Sequence, residues 1–338
     1  MTRIVRRLAE TLAVLVVLAI AVFAIGRLVP GDPLAQLATQ PGLGATELAQ
    51  LRVALALDTS VWTQASAWVT GLAAGDLGVS LISGQPVGPE IMRRLPASVE
   101  LALMGMMVAL LLALPLALVA ARSPGGLADH IARALAAFWG AVPTFLSGLI
   151  LIEVVYARTG VAPEPIGRYP LFGPDPPALR TGLMLVDAVI AGDLAALRAA
   201  AAQGLLPAIC MGLFAFGPIL RLARAALLAA GASAHVEAAR ALGLGSGHIR
   251  LHHVWRACAA PVIAVVAMTL CYLLGAAAVV ERVFAWPGIG RYALEAALAR
   301  DQAPVLGAVL AVGGLVVVVQ LGAEALQALI DPRVRDGI

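Results

Sequence analysis

The sequence predicts an all-α, polytopic membrane protein of six transmembrane helices with both termini in the cytoplasm, and three observations carry that reading. Of the 338 residues 61% are apolar and 13% charged, with a mean hydropathy of +0.93, outside the range of soluble domains. The apolar residues gather in runs of about 20, the length that a hydrocarbon core of roughly 30 Å demands of a helix. The arginines concentrate in alternate connecting segments, as the positive-inside rule requires.

The first apolar run, residues 8–26, follows Arg3, Arg6 and Arg7. That start resembles the charged region of a signal peptide, but the run exceeds the usual 7–15 apolar residues of such a leader, so it reads as an uncleaved anchor. Five further spans follow at 101–121, 135–157, 203–223, 259–280 and 305–330. With the N-terminus inside, the 72 residues of segments 1–10, 121–134, 221–259 and 330–338 hold 12 arginines, whereas the 142 residues of 27–97, 158–204 and 281–304 hold 11. Segment 181–202 is apolar enough to tempt a seventh span. Asp187, Asp193 and Arg198 would each cost about 2.5–3.5 kcal/mol near the bilayer centre, and Arg333 and Arg335 would then fall on the wrong side. The segment is therefore expected outside, as a helix on or near the membrane surface. Pro115, Pro143, Pro207, Pro218 and Pro261 lie inside spans; each removes a backbone donor, which fits kinked helices beside a cavity and ordinary membrane-helix packing equally.

The outer region 27–97 reads as a small extracytoplasmic subdomain. Leu48, Leu51 and Leu55 repeat at helical spacing, and Val61, Trp62, Ala65, Trp68, Val69 and Leu72 form a second apolar stripe whose tryptophans suit a membrane–water interface. The stretch GDLGVSLISGQPVGPEIMRRLPASVELAL then turns on Gly75, Gly78, Gly84 and Pro86 before the second span. After the fifth span, Glu281 precedes the turn Trp286-Pro287-Gly288 and an amphipathic helix. Such a turn either narrows the outer mouth of a pathway or caps a hairpin passively.

Composition excludes several chemistries. All 23 basic residues are arginine, so the chain has neither a Schiff-base lysine nor the lysine of a Walker A loop. A net charge of +3 forms no nucleic-acid-binding patch. Cys210, Cys258 and Cys271 lie in or beside apolar segments and imply no disulfide framework. An intramembrane hydrolase would need an HExxH, GxSxG or paired-aspartate set, and none occurs. A self-sufficient secondary transporter would favour duplicated halves, which are not seen.

The inner segment 224–258 interrupts this apolar chain with the polar stretch HVEAARALGLGSGHIRLHH. Ser233 is placed to cap a helix, and Glu237 suits that helix's positive end. Gly243, Gly245 and Gly247 are free to take φ > 0, so two short helices can meet at a steep angle. Such an elbow is either a surface for a cytoplasmic partner or a solvated connector.

At E-A-A-R-A-L-G (237–243) the chain resembles the EAA loop of ABC-importer permeases, and around it the dipeptide/oligopeptide/nickel branch of that family. The likeness extends to R-L-V-P-G-D-P (27–33), G-D-L-G-V-S-L (75–81), R-L-P-A-S-V-E-L (94–101), V-V-E-R-V-F-A-W-P-G-I-G (279–290) and D-P-R-V-R (331–335), in the family's order. The resemblance implies one permease domain over 1–338 with the type I importer fold. It also implies a second, homologous permease subunit, two cytoplasmic ABC ATPases that bind ATP and Mg, and an extracytoplasmic solute-binding protein, with no cofactor on this chain. Glu237, Ala238, Ala239 and Gly243 are then expected to form the element that couples to an ATPase, and the fitting cargo is a di- or oligopeptide, with nickel or a metal chelate as the alternative. One departure is local: Val254-Trp255-Arg256 stands where many EAA loops carry an I-x-L-P ending.

Other polar residues are read more plainly. His235, His248, His252 and His253 lie on the inner face without an acidic or cysteine ligand at useful spacing, and serve as basic surface. Glu153, within the third span, is a possible pathway residue or an interfacial partner of Arg158. Glu324 lies in the sixth span, near its inner end. Arg221 and Arg224 are expected to snorkel to lipid headgroups.

Overall fold

The computed structural model describes residues 13–24, 44–54 and 59–330. The expectations for Arg3, Arg6, Arg7, Leu55, Arg333 and Arg335, and for the motifs at 27–33 and 331–335, lie outside them. Among the described residues the architecture is helical, with one β-bridge between Val79 and Pro86. The helices are α1 (Ala13–Ala24), α2 (Ala45–Ala54), α3 (Val61–Ala73), α4 (Val87–Arg122), α5 (Leu127–Ala141), α6 (Thr144–Leu151), α7 (Met184–Ala191), α8 (Leu194–Gly231), α9 (Ala234–Ala241), α10 (Ser246–His248), α11 (Trp255–Val283), α12 (Ile289–Leu298) and α13 (Gln302–Ile330). Wide π-helical turns extend α6 over Ile152–Arg158 and link α10 to α11 over Ile249–Val254.

Four helices, α4, α8, α11 with its preceding turn, and α13, are long and apolar enough to cross a bilayer. The third expected span is different: α5 and α6 meet at 99°. The break falls at Val142, which is extended (φ −75°, ψ 123°) because the ring of Pro143 disfavours a helical conformation in the residue before it. Counted as one broken span, the pair brings the total to five, and α1 is a shorter apolar helix. By contrast α4, α8 and α11 run unbroken through Pro115, Pro207, Pro218 and Pro261.

Segment 181–202 is not one surface helix. It divides at Gly192 (φ 68°), which ends α7, and at Asp193, whose carboxylate accepts from the amides of Ala195 and Ala196 and caps α8. Asp193 sits where an anion satisfies the orphan donors of a helix start, and the residues after it are the first turns of a long apolar helix.

Two units make up the described chain. The first takes in the described residues up to Ala97 together with Pro287–Val317. Its core is Val87, Ile91, Ile289 and Ala308, with Leu77, Leu95 and Tyr292 packed against it. Asp301, itself buried, ties down the turn of S-L-I-S-G: Ser80 Oγ donates to it at 2.5 Å and the Leu81 amide at 3.2 Å. On α3 the predicted apolar stripe faces outward, with Trp62 85% exposed, while Trp68 lies 5.5 Å from the Phe23 ring.

The second unit takes in Ser98–Trp286 and the described residues from Val318 onward. α8 forms its centre: 61% of its most apolar stretch is buried, against 33% for α11. Glycines let the helices approach. A methyl on Gly212 of α8 would lie 2.6 Å from Val108 of α4, and one on Gly105 of α4 would lie 2.5 Å from Met211. Small residues at such crossings bring backbones into van der Waals contact, the main source of helix attraction in lipid. Arg168, in the stretch between α6 and α7, forms a buried ion pair at 2.7 Å with Glu100 of α4. Glu100 also accepts from the Leu185 amide, and Gln203 of α8 donates to the carbonyls of Glu164 and Ile166. The Pro-rich stretch 158–183 is thereby pinned to α4 and α8.

Candidate functional site

The elbow at the end of α8 is built from the backbone outward. Ser233 has the extended conformation of an N-cap (φ −75°, ψ 149°), but its hydroxyl donates to the Ala230 carbonyl at 2.5 Å and does not cap α9. α9 turns Val236 and Ala239 inward, both buried, and leaves Glu237, Ala238 and Arg240 exposed. Its far end closes in a Schellman arrangement: the Gly243 amide donates to the Arg240 carbonyl at 2.9 Å and the Leu244 amide to the Ala239 carbonyl at 3.2 Å. That closure needs a left-handed residue after the helix, and Gly243 supplies it with φ 79°. Gly245 and Gly247 do not adopt positive φ, so one glycine of the three makes the turn.

The four residues expected to couple therefore divide in two. Glu237 and Ala238 form an exposed face of one charged and one small side chain, whereas Ala239 and Gly243 hold α9 in its shape. The histidines gather on the same elbow. His248 and His252 stack at 4.2 Å between ring centres, and His253 lies 6.0 Å from His248 and 6.2 Å from His235. Among the described residues no group of three or more His, Cys, Asp or Glu side chains is arranged to hold a metal ion.

Beside the elbow, Arg224 does not reach for headgroups. It forms a two-bonded ion pair with the buried Asp129 on α5, through Nε to Oδ1 and through Nη2 to Oδ2 at 2.7 Å. Asp129 also accepts from the Gly125 amide at 2.9 Å, fixing the S-P-G-G turn ahead of α5. In place of the snorkelling expected of Arg224, its planar guanidinium meets the buried carboxylate in two parallel charge-assisted bonds.

At the opposite end of α11, Glu281 is fully buried and accepts from Ser98 Oγ at 2.5 Å. The Trp286 amide donates to the Glu281 carbonyl at 2.7 Å, across a turn in which Ala285 takes φ 49°. Phe284 and Trp286 are both 1% exposed. Gly148 of α6 makes room for Phe284, since a methyl there would lie 3.2 Å from its ring, and Gly204 of α8 makes room for Met104 of α4, 2.6 Å from a methyl there. The Gly167 amide donates to the Phe284 carbonyl at 3.1 Å. Glu281 and Trp286 thus belong to one inward-packed turn, with Pro287 exposed just beyond it. Glu153 is not part of this cluster: it lies exposed and pairs with Arg158 at 3.0 Å. Ser98, the partner of Glu281, falls within the R-L-P-A-S-V-E-L stretch but gives no sign of its role until α4 and α11 are brought together. Glu324 sits half-buried in α13.

Long apolar helices, a glycine-lined crossing and a polar elbow define a polytopic helical membrane protein. Residues 113–336 match the family of the binding-protein-dependent transport system inner membrane component, and residues 1–102 match the N-terminal family of the same membrane components. The dipeptide transport system permease protein DppB of Escherichia coli K12 is 33% identical over 334 residues, 98% of each chain. The di/tripeptide transport system permease protein DppB of Pseudomonas aeruginosa is 32% identical over 93% of this chain and 92% of its own. The probable D,D-dipeptide transport system permease protein DdpB of E. coli K12 is 33% identical over 96% of this chain and 95% of its own. The chain belongs to this family of binding-protein-dependent permeases, and is a multi-pass ABC-transporter permease of the plasma membrane.

Proposed function

We propose that the chain is one half of the membrane pathway of an ATP-driven importer for di- or oligopeptides. It crosses the membrane six times, α1 and the broken α5–α6 pair each counting as one span, with both termini and the elbow in the cytoplasm. A second permease subunit completes the pathway, a solute-binding protein delivers the peptide outside, and two ATPase subunits bind ATP and Mg inside. The peptide cargo is supported by the names of the relatives, three of which are dipeptide or tripeptide permeases.

The observation that carries the coupling role is the division of labour on α9. Buried Val236 and Ala239 and the closure at Gly243 fix the helix, while Glu237 and Ala238 stand exposed for a partner. The small Ala238 admits close approach, and Glu237 supplies a charge-assisted contact. At the outer end the turn holding Glu281 and Trp286, fixed by its inward packing, narrows the mouth of the pathway.

Reconstituting the complete importer in proteoliposomes tests this reading. Glu237→Arg removes one charge-assisted hydrogen bond, worth about 1.5 kcal/mol, and lowers ATP-driven peptide uptake about tenfold without preventing assembly. Uptake at the unaltered rate, in assembled complexes of Glu237→Arg, would refute the coupling role.

A further inference from the structure

The elbow end of the second unit contains a cleft of about 860 Å³ that the coupling role leaves unused. Its walls come from helix ends and the elbow: Leu118 and Arg122 of α4, Leu227 of α8, Arg240 of α9, Leu244 just after it, and Trp255 at the start of α11. The lining is mainly apolar, and two guanidinium groups stand in it.

The charges in this cleft are uncompensated. Arg122 and Arg240 are exposed, and among the described residues neither forms an ion pair; Arg240 donates to the Gly231 carbonyl at 3.3 Å. Arg224, nearby in the same unit, is committed to Asp129. An apolar wall beside unpaired cations is poorly served by water, which wets the guanidiniums but gains nothing from the leucines. It is equally poorly served by a small soluble anion, which uses the arginines alone. The matching ligand carries a negative charge and hydrocarbon on one molecule. Helix ends at 122, 231 and 255 mark the inner boundary of the apolar spans, and Trp255, 38% exposed, has the amphipathic ring that favours that boundary. Basic pockets between membrane helices on the cytoplasmic side are suited to anionic headgroups.

We propose that this cleft binds one anionic phospholipid of the inner leaflet, its phosphate held by Arg122 and Arg240 and an acyl chain lying along Leu118 and Leu227. The inference rests on the cytoplasmic placement of the elbow given under Proposed function. It adds a lipid requirement to the element that would receive force from the ATPases, since Arg240 belongs to α9.

Photoactivatable phosphatidylglycerol, incorporated with the purified full-length chain in phosphatidylcholine nanodiscs, tests it. Labelling is expected on peptides carrying residues 118–122 and 227–231, and unlabelled phosphatidylglycerol should compete it away while phosphatidylcholine does not. Arg122→Gln and Arg240→Gln should each reduce labelling about fivefold, the contribution of one arginine to anionic-lipid attraction. Arg122→Lys, which keeps the charge, should retain most of it and shows that loss in the glutamine variants is not misfolding. Equal labelling by photoactivatable phosphatidylcholine would overturn the proposal, and competition by inorganic phosphate would reassign the site to a soluble anion. Loss of labelling on adding the ATPase subunits would reassign it to a protein segment. Neither peptide nor ATP is present, so failure here is distinct from failure of the uptake experiment.

Discussion

Replacing Gly243 by alanine isolates the backbone of the elbow from everything else about it. A methyl at this position meets nothing within 4 Å, so no steric clash contributes. The cost is purely conformational: φ is 79°, and an L-residue with a Cβ pays about 1–2 kcal/mol to occupy the left-handed region. Two hydrogen bonds depend on it, from Gly243 to Arg240 and from Leu244 to Ala239. Their opening should become about 5–30 times more frequent, the factor that 1–2 kcal/mol implies. Hydrogen–deuterium exchange of the peptide spanning 242–244 reads this directly, as faster exchange at unchanged intrinsic rate. Gly245→Ala is the control, because Gly245 has no positive φ and equally open surroundings. Gly243→Asn should fall between the two, asparagine tolerating this region better than alanine. Equal exchange in the Gly243→Ala and Gly245→Ala proteins would refute the argument that one glycine sets the turn.

Three further outcomes follow from the packing. Gly212→Val at the α4–α8 crossing must displace Val108 or the Gly105 carbonyl, 3.0 Å from the added carbon, and should destabilise the detergent-solubilised protein by about 1–3 kcal/mol, read as a lower midpoint of thermal aggregation. Arg168→Ala leaves Glu100 buried without its cation, a loss of about 3–5 kcal/mol, and should expose 158–183 to limited proteolysis of the detergent-solubilised protein while the elbow stays protected. Burial opposes ionisation of Asp187, but hydrogen bonds from Thr181, Arg180 and Gly182 outweigh it and hold the carboxyl below its ordinary value of 3.8. A lowered folded value stabilises above about pH 4 and is lost as pH falls further, so the same proteolysis should accelerate below pH 4, and Asp187→Asn should abolish that pH dependence.

Much of this was legible in the sequence, and the rest was not for identifiable reasons. Apolar runs of about 20 residues located α4, α8, α11 and α13 because length and composition are all that lipid selects for. Direction is not encoded there, so the 99° break at Val142-Pro143 looked like any other proline in a span. The charges of segment 181–202 argued against a seventh span and for one surface helix, yet Asp193 caps α8, and residues 194–202 begin that long apolar helix, which shows only once the helix start is known. Three glycines of the elbow were equivalent by residue type; only the geometry of the α9 terminus singles out Gly243. The ion pairs that lock the second unit, Arg224 with Asp129 and Arg168 with Glu100, join residues 95 and 68 positions apart, beyond the reach of local periodicity.

The central claim is that the exposed face of α9 takes force from a nucleotide-driven partner in the cytoplasm. A photo-crosslinking residue at position 238 of the importer assembled in membranes tests it most directly, because the Ala238 side chain is exposed while its neighbour Ala239 is buried. The account predicts a covalent product with the ATP-binding chain, formed in inside-out vesicles and changed in yield by ATP. A crosslink only to lipid or to an extracytoplasmic protein, or labelling of position 238 by a membrane-impermeant reagent added to intact cells, would contradict it.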